Sequence, residues 1–397
     1  GDKRHYYLTY YIISLLLICL SIGTFFISQK IKEYIIILSI SLITSLYIIE
    51  GYFTYNAGEK RYERKSGKNW DKRSKFEIYE DSKQIDDQIV VTVRPLSHDV
   101  NDNTIFALSG VSNSKTIFCN ESGRYSIYQS DRYGFNNPDD EWDKQQVEYL
   151  VTGDSFAHGS CVNRPHDISS VLRILSNKSV LNLGFMGNGP LREYASLREY
   201  LNPKVKKVLW LYYENDLSDL WEELQKETLH KYLLDSEFSQ NLKLRQNEIN
   251  NLEIKKITIE KETTKIKIIK FIKLFRLRYL IKQQFTLKQV ETSFPKLEKI
   301  LMSAKALTIS NDAKLYFVYL PGYSHYNSHR QKKLNDKNYN LVKEIVNKLN
   351  IPFIDIHKNV FHKEDNPLKL FPFEQPNHYN ILGYKKVAEY IYDLTKD

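Results

Sequence analysis

The run Val147-Glu148-Tyr149-Leu150-Val151-Thr152-Gly153, passing directly into Asp154-Ser155-Phe156-Ala157-His158-Gly159, constrains the fold more than any other stretch. A short apolar, β-branched run closed by glycine predicts a strand covered on both faces, as in a parallel sheet. Such sheets carry their chemistry at the carboxyl ends of the strands. Ser155 falls at such an end. Gly-Asp-Ser is by itself also an ordinary turn, so the rest of the chain has to decide.

Downstream the pattern repeats. Asp167 is placed to cap a helix whose apolar face is Ile168, Val171, Leu172 and Leu175. Residues 179–183 read as the next strand, followed by the loop Gly184-Phe185-Met186-Gly187-Asn188-Gly189-Pro190 and a helix over 191–200. A third strand over 207–213 ends in Glu214-Asn215-Asp216. Strands over 315–320 and 352–356 alternate with helices over 297–310 and 338–349, and Asn377-His378 leads into a closing helix over 382–394. Strand–helix alternation predicts a doubly wound α/β sheet.

The amino-terminal part is different. Residues 6–28 carry no charge and are long enough to cross a bilayer core of about 30 Å. A second uncharged run, 34–49 and extendable to 53, is shorter. Together they predict a transmembrane hairpin over 1–53, with one span plus an interfacial helix as the alternative, and a lipid bilayer as partner. Lys3 and Arg4 before the first run, and Lys60, Arg61, Arg64, Lys65 and Lys68 after the second, argue for a cytoplasmic side. A disulfide or an envelope substrate would argue for the opposite face, so the side stays open.

Residues 54–145 read as a linker and a loop-rich accessory segment, and 146–397 as the α/β domain, interrupted by a basic helical insert at about 222–294. Within the insert, Ile268, Ile272, Phe275 and Tyr279 share a helical stripe among widely spread lysines. That stretch is either an excursion lying on the domain or a helix resting on anionic headgroups.

A net charge of +9 admits nucleic acid as a partner, but no helix-turn-helix, zinc-finger or RNA-recognition pattern accompanies it, so none is expected. The three cysteines, Cys19, Cys119 and Cys161, form no Cys-x-x-Cys pair and no His-x-x-x-His cluster stands beside them; neither metal nor cofactor is expected. Cys119 and Cys161 can pair in an oxidising compartment or stay thiols elsewhere. Oligomeric state is not legible.

Four blocks are thus in order: Gly153-Asp154-Ser155, the glycine loop, Glu214-Asn215-Asp216 and Asn377-His378. In that order the chain from about 148 to 395 resembles the SGNH, or GDSL, hydrolase superfamily. The resemblance implies a flavodoxin-like sheet with Ser155 as nucleophile and His378 as general base. It implies an oxyanion hole built from the Ser155 amide, the Gly187 amide and the Asn215 side chain, with Gly184 or Gly189 as substitutes for Gly187. The family's Asp three residues before the histidine is replaced here by Gln375, and Glu374, one further back, is the expected orienting carboxylate.

The chain is also similar to a membrane-anchored bacterial subgroup, through Cys119-Asn120-Glu121, Gly134-Phe135-Asn136-Asn137-Pro138 and Gly153 to Val162. That likeness implies that Cys119 and Cys161 belong together near the site.

Elementary chemistry agrees: a serine hydroxyl needs a base, and an imidazole with pKa near 6.5 serves at neutral pH. The expected function is a membrane-anchored serine esterase or O-acyltransferase on acyl esters, with acetyl groups of an envelope glycan or lipid-linked sugar as candidates; the alternative is an inert scaffold or glycan-binding module, motivated by Gln375. His158 is read as structural or pocket-lining, Asp154 as a turn brace, Asp355 as structural or a remote partner of His378. Cys161 has no base placed to make it a nucleophile.

Overall fold

The computed structural model describes residues 3–55, 62–63, 66–93, 105–264, 271–278, 293–327 and 329–396. The chain forms two compact units, one comprising 1–57 and 267–282 and the other 58–266 and 283–397.

In the first unit, helix α1 spans Lys3–Gly23 and helix α2 spans Gln29–Tyr55. Among the described residues, only α2, over Gln29–Phe53, is long and apolar enough to cross a bilayer; the apolar part of the first stretch, Ser14–Phe26, is shorter. This reverses the expected ranking of the two runs. The tyrosines at the amino end of the first run dilute its apolar length, whereas the second continues helically through Glu50 and Gly51.

Glu50 can lie in an apolar helix because its carboxylate is buried against backbone amides, accepting from Arg276 N and Leu277 N at 2.9 Å each. Tyr47 donates to Ile272 O at 2.9 Å. Residues 271–278 of the basic insert therefore belong with α2. The remainder of that stripe, including Ile268 and Tyr279, lies outside the described residues, as do Lys60, Arg61, Arg64 and Lys65.

The second unit is built on five parallel strands: β4 Val147–Gly153, β5 Val180–Asn182, β6 Val205–Tyr213, β7 Lys314–Leu320 and β8 Phe353–Asp355, in the order β5-β4-β6-β7-β8. Counted within the sheet this is 2-1-3-4-5, the flavodoxin-like doubly wound order, whose switch point lies where β4 sits between β5 and β6. Alternate residues feed opposite layers. Val208, Trp210 and Tyr212 of β6 enter one core, whereas Leu209 and Leu211 enter the other; β7 divides likewise, with Phe317 and Tyr319 opposite Val318 and Leu320.

Two segments differ from expectation. Three short strands, β1 Ile89–Val91, β2 Lys115–Ile117 and β3 Ile127–Gln129, form a separate sheet where a loop-rich apron was expected. They close a small core of Phe76, Ile78, Tyr79, Val91 and Ile117.

The first part of the insert also packs onto the α/β core. Its helices Glu227–Leu234 and Gln246–Thr264 bury Leu229, Tyr232 and Ile249, and the short turn Leu242–Leu244 between them buries Leu242, in the same core as β6.

Candidate active site

β4 ends at Gly153 because no side chain fits there: a Cβ would lie 2.7 Å from Leu211 O and from the Ala157 Cβ. Asp154 then caps the short helix Ser155–His158, its carboxylate accepting from Phe156 N at 2.8 Å. The cap aims Ser155 off the sheet edge. Asp154 is buried, and burial pushes its pKa up to about 6. It braces the turn.

His378 lies in the loop before the closing helix Ile381–Thr395. Its Nε2 is 2.8 Å from Ser155 Oγ, and its Nδ1 is 2.8 Å from Glu121 Oε1. The other oxygen of Glu121 accepts the backbone N–H of His378, also at 2.8 Å. One carboxylate thus fixes both the main chain and the ring. With Nδ1–H donating to Glu121, Nε2 is left with its lone pair toward the serine hydroxyl, the tautomer that a general base requires. Ser155 Oγ also lies 3.3 Å from Asp154, but its single proton has the shorter path to His378.

The orienting carboxylate is therefore that of Glu121, not Glu374. Phe373 and Glu374 both take left-handed backbone angles, φ 54° and 53°, which reshape the loop. They send the Glu374 carboxylate to Asn366, whose Nδ2 donates at 3.0 Å. Gln375 donates to the carbonyls of Phe373 and Glu374.

Glu121 reaches His378 because its loop is tied down. Cys119, two residues earlier, is disulfide-bonded to Cys161 on the segment that follows Ser155, with Cα atoms 5.0 Å apart. Asn120 Oδ1 accepts from Gly123 N at 2.8 Å, and Gly123 turns at φ 96°, so the loop folds back on itself. The sequence signal for Glu121 is its place two residues after Cys119 in Cys119-Asn120-Glu121.

The loops after β5, β4 and β6 leave the same sheet edge side by side. Gly187 stands in the first at φ 76°. Gly184 lets that loop press on the Ser155–His158 helix, since a Cβ there would lie 2.5 Å from Ala157 Cβ. At Gly189 a Cβ would crowd Asp219 and Glu223. Asn215 follows β6, and its Nδ2 donates to Asp219 Oδ2 at 2.8 Å. Burial, with Glu223 and Asp154 nearby, raises the Asp219 pKa well above the usual range.

Other sequence candidates take structural places. His158 is fully buried among Phe118, Tyr128 and Phe185; its Nδ1 accepts from Met186 N, and burial drives its pKa down to about 3. Asp355 caps the helix Ile356–Asn359 and accepts from Tyr339 OH at 2.5 Å, so it is no partner of His378. Beneath the site, Glu193 is buried without a well-formed hydrogen bond, and burial beside Asp154 and Glu223 raises its pKa well above normal. Glu223 accepts from the amides of Gly189 and Leu191 at the start of the helix Pro190–Tyr200.

Glu121, Cys161 and His378 could by position hold a metal, but the sulfur is committed to the disulfide and both His378 nitrogens have partners.

No protein-family model and no curated relative matches the chain. Among solved structures it is similar to a lipolytic protein of the G-D-S-L family from Desulfitobacterium hafniense DCB-2, with 14% identity over 63% of this chain and 99% of that one and a TM-score of 0.35. It is similar also to the lipase/acylhydrolase from Enterococcus faecalis, at 13% identity over 63% and 96% with a TM-score of 0.37. An acetylxylan esterase from Geobacillus stearothermophilus matches at 14% identity over 64% and 96%, with a TM-score of 0.36. Overlaps this loose carry no argument about activity. The 2-1-3-4-5 parallel sheet, with Ser155 after its first strand and His378 before its last helix, gives the chain a flavodoxin-like fold arranged as the sequence resemblance to the SGNH, or GDSL, hydrolases implied.

Proposed function

We propose that this chain is a membrane-anchored serine esterase or O-acyltransferase that forms an acyl-enzyme on Ser155. One observation carries the reading: a continuous line from the Glu121 carboxylate through the His378 ring to the Ser155 hydroxyl, 2.8 Å on either side of the ring. A nucleophile, a base and an orienting acid in hydrogen-bond reach are what acyl transfer needs.

Attack of Ser155 Oγ on an acyl carbonyl forms the new C–O bond while the hydroxyl proton passes to His378 Nε2. The imidazolium is paired with Glu121 across Nδ1–H. The displaced carbonyl electrons become an oxyanion, met by the Ser155 and Gly187 amides and by Asn215 once it turns from Asp219; such donors are worth roughly 3 kcal/mol each. Collapse expels the alcohol, which takes the proton from Nε2. Water or an acceptor hydroxyl then repeats the steps in reverse, giving hydrolysis or transfer.

The proposed substrates are acyl esters, acetyl esters in the first place, on a glycan or lipid-linked sugar of the bacterial envelope. The bilayer-length α2 supports an anchor in the inner membrane. The Cys119–Cys161 bond supports an oxidising compartment for the second unit, the face opposite to that favoured by the flanking lysines and arginines. The inert-module alternative loses its motive, because Glu121 stands where Gln375 had suggested a gap. The purified protein should release p-nitrophenol from p-nitrophenyl acetate, and Ser155→Ala should abolish it; equal rates would remove the hydrolase reading.

A further inference from the structure

A second histidine cluster lies at the carboxyl edge of β7 and β8, on three separate helices: His325 on Ser324–Asn327, Asp336 on His329–Lys348 and His357 on Ile356–Asn359. One ring nitrogen from each histidine and one carboxylate oxygen of Asp336 lie within 4.8 Å of one another. Their sequence spacing follows no zinc motif, because each ligand comes from a different element.

The outer atoms are arranged as a metal site requires. His325 Nδ1 is 2.5 Å from Glu214 Oε1, and His357 Nδ1 is 2.7 Å from Tyr326 OH. Glu214 is itself held by Asn335 Nδ2 at 2.8 Å and Tyr319 OH at 3.3 Å. A ligating imidazole characteristically gives its other nitrogen to such an oxygen, which fixes the tautomer and aims the free nitrogen inward.

The inner atoms fit too. His325 Nε2 lies 3.0 Å from Asp336 Oδ1, and His357 Nε2 has no hydrogen-bond partner among the described residues. The two ring centroids are 4.0 Å apart, with the planes tilted by 34°. Both histidines are buried, while the Asp336 side chain is 44% exposed and offers an ion a way in.

Charge decides what the cluster would hold. Glu214 and Asp336 together bring two negative charges around two imidazoles. A divalent cation held between them would balance both formal charges.

We propose that His325, Asp336 and His357 bind a divalent cation, zinc by preference, with Glu214 and Tyr326 as its supporting shell. Two imidazoles and a carboxylate, with a fourth position for water, form a common zinc ligand set. Because Glu214 directly precedes Asn215, the ion would stiffen the end of β6 beside the Ser155 site.

The test uses the full chain in detergent, stripped with a chelator and titrated with zinc chloride while bound metal and thermal unfolding are followed. The proposal expects about one zinc per chain and a rise in Tm, with affinity weakened about 100-fold or more in both Asp336→Asn and His357→Gln. Asp336→Asn, at a half-exposed position, decides the matter if the buried variant fails to fold. No saturable binding, or equal binding by wild type and Asp336→Asn, would overturn the site and leave His325 as an imidazolium shared by two carboxylates. Either result stands apart from Ser155 chemistry, which is read by ester hydrolysis.

Discussion

Two carboxylate–histidine pairs lie at the carboxyl edge of this sheet, alike at one nitrogen and unlike at the other. Glu121 holds His378 Nδ1 at 2.8 Å and Glu214 holds His325 Nδ1 at 2.5 Å. Beyond the ring, His378 meets the Ser155 hydroxyl, whereas His325 meets the Asp336 carboxylate. The His378 side chain is 24% exposed; that of His325 is fully buried. The difference teaches that a carboxylate at Nδ1 only fixes a ring. A hydroxyl at the far nitrogen gives a base that can pass a proton to and fro; a second carboxylate gives a holder for a cation.

Substitutions should separate the two pairs. Removing the nucleophile has the largest effect: Ser155→Ala should lower kcat on p-nitrophenyl acetate by about four to six orders of magnitude. Glu121→Gln, which leaves the geometry but releases the tautomer, should cost about 10⁴-fold in kcat. The equivalent change in the other pair, Glu214→Gln, should instead appear as about 3 kcal/mol of lost stability in denaturant unfolding, because it removes the charge paired with His325 and leaves one amide oxygen to serve both His325 Nδ1 and Asn335 Nδ2. Asn215→Ala should lower kcat by about 10²-fold with KM little changed, if the amide turns to the oxyanion. Glu374→Gln should leave kcat at the wild-type value, since that carboxylate serves Asn366.

His158 extends the comparison to a ring with no carboxylate at either nitrogen. In the unfolded chain it takes a proton near pH 6.5, but in the folded protein only near 3. Below 6.5 the unfolded state therefore binds the additional proton. Stability that is fully present above that pH is lost as pH falls toward 3. The urea midpoint of the wild type should fall more steeply between pH 7 and 4 than that of His158→Gln.

The legible parts of the molecule were those written in local pattern. β6 and β7 follow from unbroken apolar runs, and Gly153-Asp154-Ser155 from the strand that leads into it. Glu121 was not legible as the orienting acid because its partner is 257 residues away and the contact depends on how the Cys119 loop is folded back. Sequence proximity favoured Glu374, and two left-handed residues carried that side chain elsewhere. β1 to β3 escaped because strands of three residues are too short to show a period. The His325 cluster escaped because its members are drawn from three helices and a strand end.

The central claim is that Glu121 activates Ser155 through His378, and the most direct measurement is the rate at which a fluorophosphonate probe modifies Ser155, located by peptide mass spectrometry. Labelling is expected at Ser155 in the wild type and in Glu374→Gln, with a rate reduced by orders of magnitude in Glu121→Gln. Equal labelling rates in Glu121→Gln and the wild type, or a wild type that does not label, would contradict it.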